Sequence, residues 1–197
     1  HRPLRRRLVL APLWVQADIP ERLLASLHRS LGDRLVEEGR ACAARAPVDL
    51  RVNTLKTARA DLLNAFAKYG ATATPLSPLG LRIKAGAGPA ARTPNVEADI
   101  EHGKGWFEVQ DEGSQIAALM TGAKRGQQIL DLCAGAGGKT LALAAQMQNT
   151  GKIFAYDGDK HRLRPIFERL TRAGATNVEV LSPGDEGSNG AVRLALE

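Results

Sequence analysis

Cysteine is nearly absent from this chain: Cys42 and Cys133 are the two in 197 residues. Cys42 lies in an Ala/Arg-rich helical stretch and Cys133 in a glycine-rich loop. Residues so differently placed make neither a disulfide framework nor a zinc site, which takes four ligands at short spacings. A cytoplasmic protein without a metal is expected. Long apolar runs are also missing, and none approaches the ~18 to 20 residues that span a bilayer. His1 to Leu10 has an arginine cluster but too short an apolar stub for a signal peptide. No initiator Met is present, so the chain reads as a piece of something longer. What is there, 44% apolar and 24% charged residues, is ordinary for a globular protein and excludes wholesale disorder. A chain of this length buries roughly 70% of its unfolded surface, enough for one good core or two small ones.

The charge is unevenly placed. The chain has 27 basic and 21 acidic side chains, a net of +6. Residues 1–105 hold 17 basic and 10 acidic groups, and residues 106–197 hold 10 and 11. A basic half beside a neutral half suits a polyanionic partner on one side and different work on the other. A solvated surface with a chance imbalance is the alternative.

Periodicity gives the elements. Asp18-Ile19-Pro20-Glu21 opens a helix carrying Leu23, Leu24, Leu27 and Leu31, and a second helix runs from Asp33 to Arg45. Val48, Leu50 and Val52 alternate with polar residues as a half-buried strand. Thr57 caps a helix with Leu62, Leu63, Phe66 and Tyr69, Gly70 stops it, and Leu79 to Lys84 alternates again. This β-α-β stretch ends in a loop over 85–95. Beyond it, strands at Trp106–Gln110, Gln128–Leu132, Lys152–Asp157 and Val178–Leu181 alternate with helices, which indicates a parallel α/β sheet. Pro165 falls inside the expected helix ending at Arg172 and starts or kinks it.

The segment Ile129 to Thr140 (Ile-Leu-Asp-Leu-Cys-Ala-Gly-Ala-Gly-Gly-Lys-Thr) carries the chemistry. A Gly-x4-Gly-Lys-Ser/Thr phosphate loop fits at Gly138-Lys139-Thr140 but has Cys133 where its first glycine belongs. A Gly-x-Gly-x-x-Gly dinucleotide fingerprint fits at Gly135 and Gly137 and fails at Thr140. What remains is an acid at a strand end, Asp131, followed by Gly-x-Gly. That suits S-adenosylmethionine, which has no pyrophosphate to cradle and whose cationic amino-acid end suits Asp131. Gly135 and Gly137 let the backbone approach a ligand without a Cβ in the way. The ribose hydroxyls need an acid at the end of the next strand, and Asp157 stands there, 20 residues beyond Gly137. Asp159 is either the alternative ribose ligand or the cap of the next helix. The plainer reading is a tight strand-to-helix turn with an incidental surface Asp.

Four runs in order resemble the Sun/RsmB family of RNA cytosine-C5 methyltransferases. Asp131–Thr140 resembles its first cofactor motif, and Ala155-Tyr156-Asp157-x-Asp159-x-x-Arg162-Leu163 its second. Leu50–Lys56 resembles its Arg-x-Asn-x-x-Lys strand, and Gly105–Ser114 the Gln-Asp-x-x-Ser segment that opens its catalytic fold. The resemblance covers roughly residues 12–181. It implies an α/β fold in which the N-terminal half of a Rossmann-like methyltransferase sheet follows N-terminal helices and a small α+β RNA-binding module. The domains implied are 1–47, 48–104 and 105–197. Cofactor contacts are implied along Cys133, Ala134, Gly135, Ala136, Gly137, Gly138 and Lys139, with Asp157 on the ribose and Asp185 at the adenine end. Cys133 is expected as a small packing residue. Lys139 either approaches a ligand or is an ordinary exposed first-turn lysine.

RNA contacts are implied at Arg51, Asn53 and Lys56, with Arg82 and Lys84 beside them. Alternatively Arg51 and Asn53 face solvent, or tie the module to the catalytic domain. Gln110, Asp111 and Ser114 shape the active-site wall, unless Asp111 and Ser114 merely start a helix. Trp106 and Phe107 are expected in a core rather than under a base.

The reaction implied is methyl transfer from S-adenosylmethionine to cytosine C5 in RNA, with ribosomal RNA as the expected partner and the protein a monomer. A cysteine thiolate adds to C6 of a base splayed from its stack, and a second cysteine helps release the product. In the family those cysteines stand in Pro-Cys and Thr-Cys motifs that neither Cys42 nor Cys133 matches. The catalytic residues are therefore unknown, and this chain alone is expected to be inactive. A non-catalytic RNA-binding or ribosome-assembly factor with a vestigial cofactor fold is the alternative. A nucleotide hydrolase built on Gly138-Lys139-Thr140 is the third possibility.

Overall fold

A computed structural model of the chain describes residues 8–86 and 93–184. The chain divides into two compact units between Ala46 and Pro47. The first is helical, with α1 (Leu13–Gln16), α2 (Leu24–Leu31) and α3 (Leu35–Ala43). Single 3-10 turns at Glu21–Leu23 and Gly32–Arg34 lead into the last two, so the leucine-spaced helices begin later than their sequence signals. Ala17 and Leu35 are its buried side chains.

The second unit has two sheets. Strands β1 (Val48–Val52), β2 (Thr72–Ala73), β3 (Gly80–Ile83) and β4 (Phe107–Val109) form an antiparallel sheet in the order β2-β3-β1-β4. Helix α4 (Arg59–Ala65) lies between β1 and β2 in sequence. Leu62 and Phe66 close over Leu50, Val52, Leu81, Ile83 and Phe107 in one apolar cluster. Phe66 meets Phe107 edge-on at 5.1 Å, and Trp106 packs against the same cluster, half-buried. Thr57 does not cap α4. The Asp61 carboxylate takes the Ala58 N–H at 3.3 Å, and the Thr57 hydroxyl donates to that carboxylate.

Strand β4 was expected to open the second sheet, beyond a boundary at 104/105. It pairs instead with β1, through Leu50↔Val109 and Val52↔Phe107. Burying Phe107 against Phe66 requires that position. The short helix α5 (Ile100–Gly103) precedes β4.

The second sheet is parallel, with β5 (Gln128–Asp131), β6 (Lys152–Tyr156) and β7 (Val178–Leu181) in that order. Helix α6 (Glu112–Leu119) leads into it, with Asp111 as its N-cap accepting the Ser114 N–H at 2.8 Å. Helix α7 (Gly138–Gln146) joins β5 to β6. Between β6 and β7 the expected single helix is two, α8 (Lys160–Leu163) and α9 (Ile166–Ala173). Pro165 stands at the α9 N-cap because its missing N–H cannot continue α8. Leu141, Ala155, Leu163, Ile166 and Leu170 fill one core of this sheet, and Leu143, Ala144, Met147 and Ile153 another. No helix among the described residues is long and apolar enough to cross a membrane.

Candidate functional site

Both candidate acids stand at the same end of the parallel sheet, Asp131 closing β5 and Asp157 just beyond β6. Parallel strands bring their carboxyl ends together, and this is where open α/β sheets bind ligands. From β5 the chain turns through Ala134 to Gly137 into α7. The Gly137 N–H closes the turn on the Ala134 carbonyl at 2.8 Å, with Gly137 at φ +83°. A Cβ there would sit 2.5 Å from Ile166 Cγ1, so glycine is needed for conformation and for space.

Asp157 is 5% exposed and organises the turn. Its Oδ2 accepts the Gly135 N–H at 2.9 Å and its Oδ1 the Asp159 N–H at 3.0 Å. The Asp159 N–H holds the carboxyl below its ordinary range. Burial opposes this, and the Gly135 N–H and the Arg162 charge add to it. Asp159 is exposed and caps α8, its Oδ1 accepting from the His161 N–H at 2.8 Å and the Arg162 N–H at 3.4 Å. Of the two roles left open for Asp159, the structure displays the cap. Asp131 is half-buried and accepts the Thr140 hydroxyl at 2.7 Å, which ties the strand end to the first turn of α7.

The described residues offer no acceptor for the backbone N–H groups of Gly138, Lys139 and Thr140. A first turn with free donors takes an anionic or polar ligand group. A Cβ on Gly135 would come no nearer than 3.8 Å to Asp157 or Arg162, so the space over the turn is open. Asp157 still has free lone pairs for a diol after accepting two N–H bonds. These features fit a nucleoside with an amino-acid tail. Ala134, Gly135 and Gly137 are buried, Ala136 and Gly138 half-buried, and Lys139 exposed. Cys133 is exposed too, which corrects its assignment as a packing residue: it stands at the lip of the turn beside Leu132, itself 48% exposed. Asp185 lies outside the described residues.

The expected RNA contacts fare differently. Arg51 is 2% and Asn53 3% exposed. Arg51 Nε donates to Gln110 Oε1 at 2.7 Å and Nη2 to the Gly138 carbonyl at 3.3 Å. Burial pulls its guanidinium down to about 10, against the pull of Glu108 and with the push of Arg169. Asn53 donates to the Gly105 and Ala173 carbonyls, both at 2.8 Å. Of the readings left open, these two residues tie the antiparallel sheet to the elements of the parallel sheet, at Gly138 and Ala173. Both side chains are buried, and Asn53 has both amide donors engaged. Lys56 and Lys84 are exposed, while Arg82 makes a two-pronged pair with Asp49 at 2.7 and 2.6 Å.

Gln110 bridges Arg51 and the Ser114 hydroxyl. Glu112 accepts the Leu76 and Ser77 N–H groups at 2.6 and 2.8 Å. Burial raises its carboxyl, and those donors with Arg82 bring it below the usual range.

Glu108 lies within the Gly105–Ser114 run but carries no pattern that singles it out, and it is 3% exposed at the junction of the two sheets. Its Oε2 accepts from Arg169 Nε at 3.1 Å and Nη2 at 2.7 Å, and Arg172 Nη2 donates to Oε1 at 2.8 Å. Arg169 Nη1 reaches on to the Ala136 carbonyl at 2.8 Å. Among the described residues no group of His, Cys, Asp and Glu is arranged to hold a metal ion.

The chain is similar to known methyltransferases. Residues 118–189 match the family model of the 16S rRNA methyltransferase RsmB/F, and residues 19–88 match the ferredoxin-like domain of the RsmF/B-like methyltransferases. A 28S rRNA (cytosine(4447)-C(5))-methyltransferase of Homo sapiens is 36% identical over 146 residues, 73% of this chain and 17% of that protein. A probable ribosomal RNA small subunit methyltransferase B of Synechocystis is 31% identical over 173 residues, 85% of this chain and 37% of that protein. The crystal structure of a methyltransferase homologue from Pyrococcus horikoshii superposes with a TM-score of 0.73 at 27% identity, covering 92% of this chain and 58% of that one. The chain thus spans well under half the length of these curated relatives. The two family models match in chain order and together take in more than two thirds of the residues, and the chain belongs to the Sun/RsmB methyltransferase family.

Proposed function

We propose that this chain binds S-adenosylmethionine and forms the cofactor-holding part of an enzyme that methylates cytosine C5 in ribosomal RNA, acting as a cytoplasmic monomer. The observation that carries this is the turn from Asp131 to Thr140 locked onto Asp157, with free N–H groups at the start of α7. The names of the relatives supply the substrate class. The ligand, when bound, supplies an electrophilic methyl group. Asp157, ionised at neutral pH, accepts the ribose hydroxyls, and the α7 donors and Asp131 hold the amino-acid end.

The cytosine ring is activated by a thiolate adding to C6, which makes C5 carbanion-like. Neither cysteine of this chain suits that role. Cys42 lies in α3 of the helical unit, and Cys133 sits on the cofactor turn itself. Exposed Lys56 and Lys139 are the candidate phosphate contacts, whose binding would weaken steeply with salt.

Calorimetry with S-adenosylmethionine and with ATP tests the ligand. Binding of the first alone is expected, and binding of ATP alone would overturn the proposal. Incubating the chain with methyl-labelled cofactor and ribosomal RNA tests the nucleophile. No transfer is expected, and transfer to cytosine C5 would show that a residue of this chain performs the addition.

A further inference from the structure

Arg169 sits on α9 and bonds to neither candidate acid, Asp131 or Asp157, but to the carbonyl of Ala136 on the turn between them. Each of its three nitrogens makes a bond. Nε and Nη2 converge on one oxygen of Glu108, and Nη1 donates to the Ala136 carbonyl at 2.8 Å. The peptide unit between Ala136 and Gly137 is thereby held at both ends. Arg169 takes its oxygen, and the Ala134 carbonyl accepts its N–H at 2.8 Å. A trans peptide points its C=O and N–H in opposite directions, so two fixed ends fix the plane. That plane feeds directly into Gly137 at φ +83° and the first turn of α7, whose donors are free.

Glu108 belongs to β4, in the antiparallel sheet, and its carboxylate aims the arginine. Arg51, from β1 of the same sheet, adds a longer bond of 3.3 Å to the Gly138 carbonyl. The cofactor turn is thus gripped by its carbonyl side from outside the parallel sheet.

We propose that Arg169, aimed by Glu108, is a positioning residue that sets the affinity of the cofactor turn by pinning the Ala136–Gly137 peptide. This rests on the cofactor reading above. A guanidinium is required, because lysine keeps the charge but cannot make two bonds to a carboxylate and a third to a carbonyl in one plane. Arg172 provides the internal control. It binds the same Glu108 at 2.8 and 3.0 Å, is about as buried, and makes no bond to the turn.

The test compares Arg169→Lys with Arg172→Lys in the full chain, at a temperature where both are folded. Two readouts are taken, the calorimetric Kd for S-adenosylmethionine and amide hydrogen exchange over residues 134–141. Arg169→Lys is expected to weaken binding about tenfold, the worth of one charge-assisted hydrogen bond. It is also expected to speed exchange across the turn without cofactor present. Arg172→Lys should leave both within about twofold of the parent, since it removes no bond to the turn. Equal effects of the two variants on exchange and Kd would overturn the proposal and leave Arg169 a purely structural partner of Glu108. A parent chain that binds no cofactor would sink the reading beneath it, while the exchange comparison would still decide whether Arg169 holds the turn.

Discussion

Asp157 holds its negative charge with 5% of its surface exposed, because each carboxylate oxygen meets a backbone N–H, from Gly135 on one side and Asp159 on the other. Replacing it with Asn keeps the shape and turns one oxygen into a donor. That donor must face one of the two N–H groups, so one bond is lost and a repulsive pair is made. Asp157→Asn is therefore expected to weaken cofactor binding by at least about tenfold and to lower the melting temperature. Asp159→Ala is the contrasting case. It removes the α8 cap, costing about 1 kcal/mol, and leaves affinity nearly unchanged. Calorimetry with thermal unfolding of both variants checks the pair. The opposite pattern, with affinity lost only at residue 159, would move the ribose contact to Asp159. Both acids were visible in the sequence at a strand end, but their division of labour was not. It depends on which oxygen meets which amide, and strand-end spacing says nothing of that.

Helix α9 is the element on which the turn rests, and Gly137 marks the contact. A methyl group there would lie 2.5 Å from Ile166 Cγ1, a branched and fully buried side chain with no room to retreat. Gly137→Ala carries left-handed backbone strain as well as overpacking, together about 2 to 4 kcal/mol. Gly122→Ala, at φ +62° with nothing within 4 Å of the new methyl, carries the strain alone, about 1 to 2 kcal/mol. Urea unfolding of the two proteins separates the terms, and equal losses would mean that α9 yields to the methyl group. The elements themselves were legible from periodicity and caps. Asp111 opening α6, Pro165 interrupting α8–α9 and the three parallel strands follow from local chemistry. The sheet to which β4 belongs was not legible. A three-residue strand gives almost no alternation, and its pairing with β1 joins Leu50 to Val109 across the whole intervening module. The same distance in sequence hid Glu108 from Arg169 and Arg172.

Across the whole molecule, net charge proved a poor guide to where the charges work. The basic excess of the first 105 residues includes Arg51, sealed between the sheets, Arg82, paired with Asp49, and Lys68, held by Asp99 at 2.5 Å. Residue counts sum charges that burial and pairing have already committed, so an RNA face cannot be drawn from the total. What the buried charges do determine is the response to acid. Asp157 and Glu112 both have folded pKa values below their ordinary ones, each mainly because backbone N–H groups meet the carboxylate. Between the folded and unfolded values the unfolded chain binds more protons, so stability falls as pH falls. Their contribution is fully present above the ordinary carboxylate value of about 4 and is lost as pH drops through the lower folded values. Arg51 has the same sign at the other extreme. Its folded value of about 10 lies below the ordinary one, so rising pH in that range does not draw stability from it. Urea midpoints measured from pH 8 to pH 3 should therefore run level through neutrality and fall steeply below about 4. The decline should be shallower in Glu112→Gln, which has no charge to lose and is less stable at neutral pH. A midpoint that already falls between pH 8 and 6, or an acid slope unchanged in Glu112→Gln, would show that other groups govern the transition.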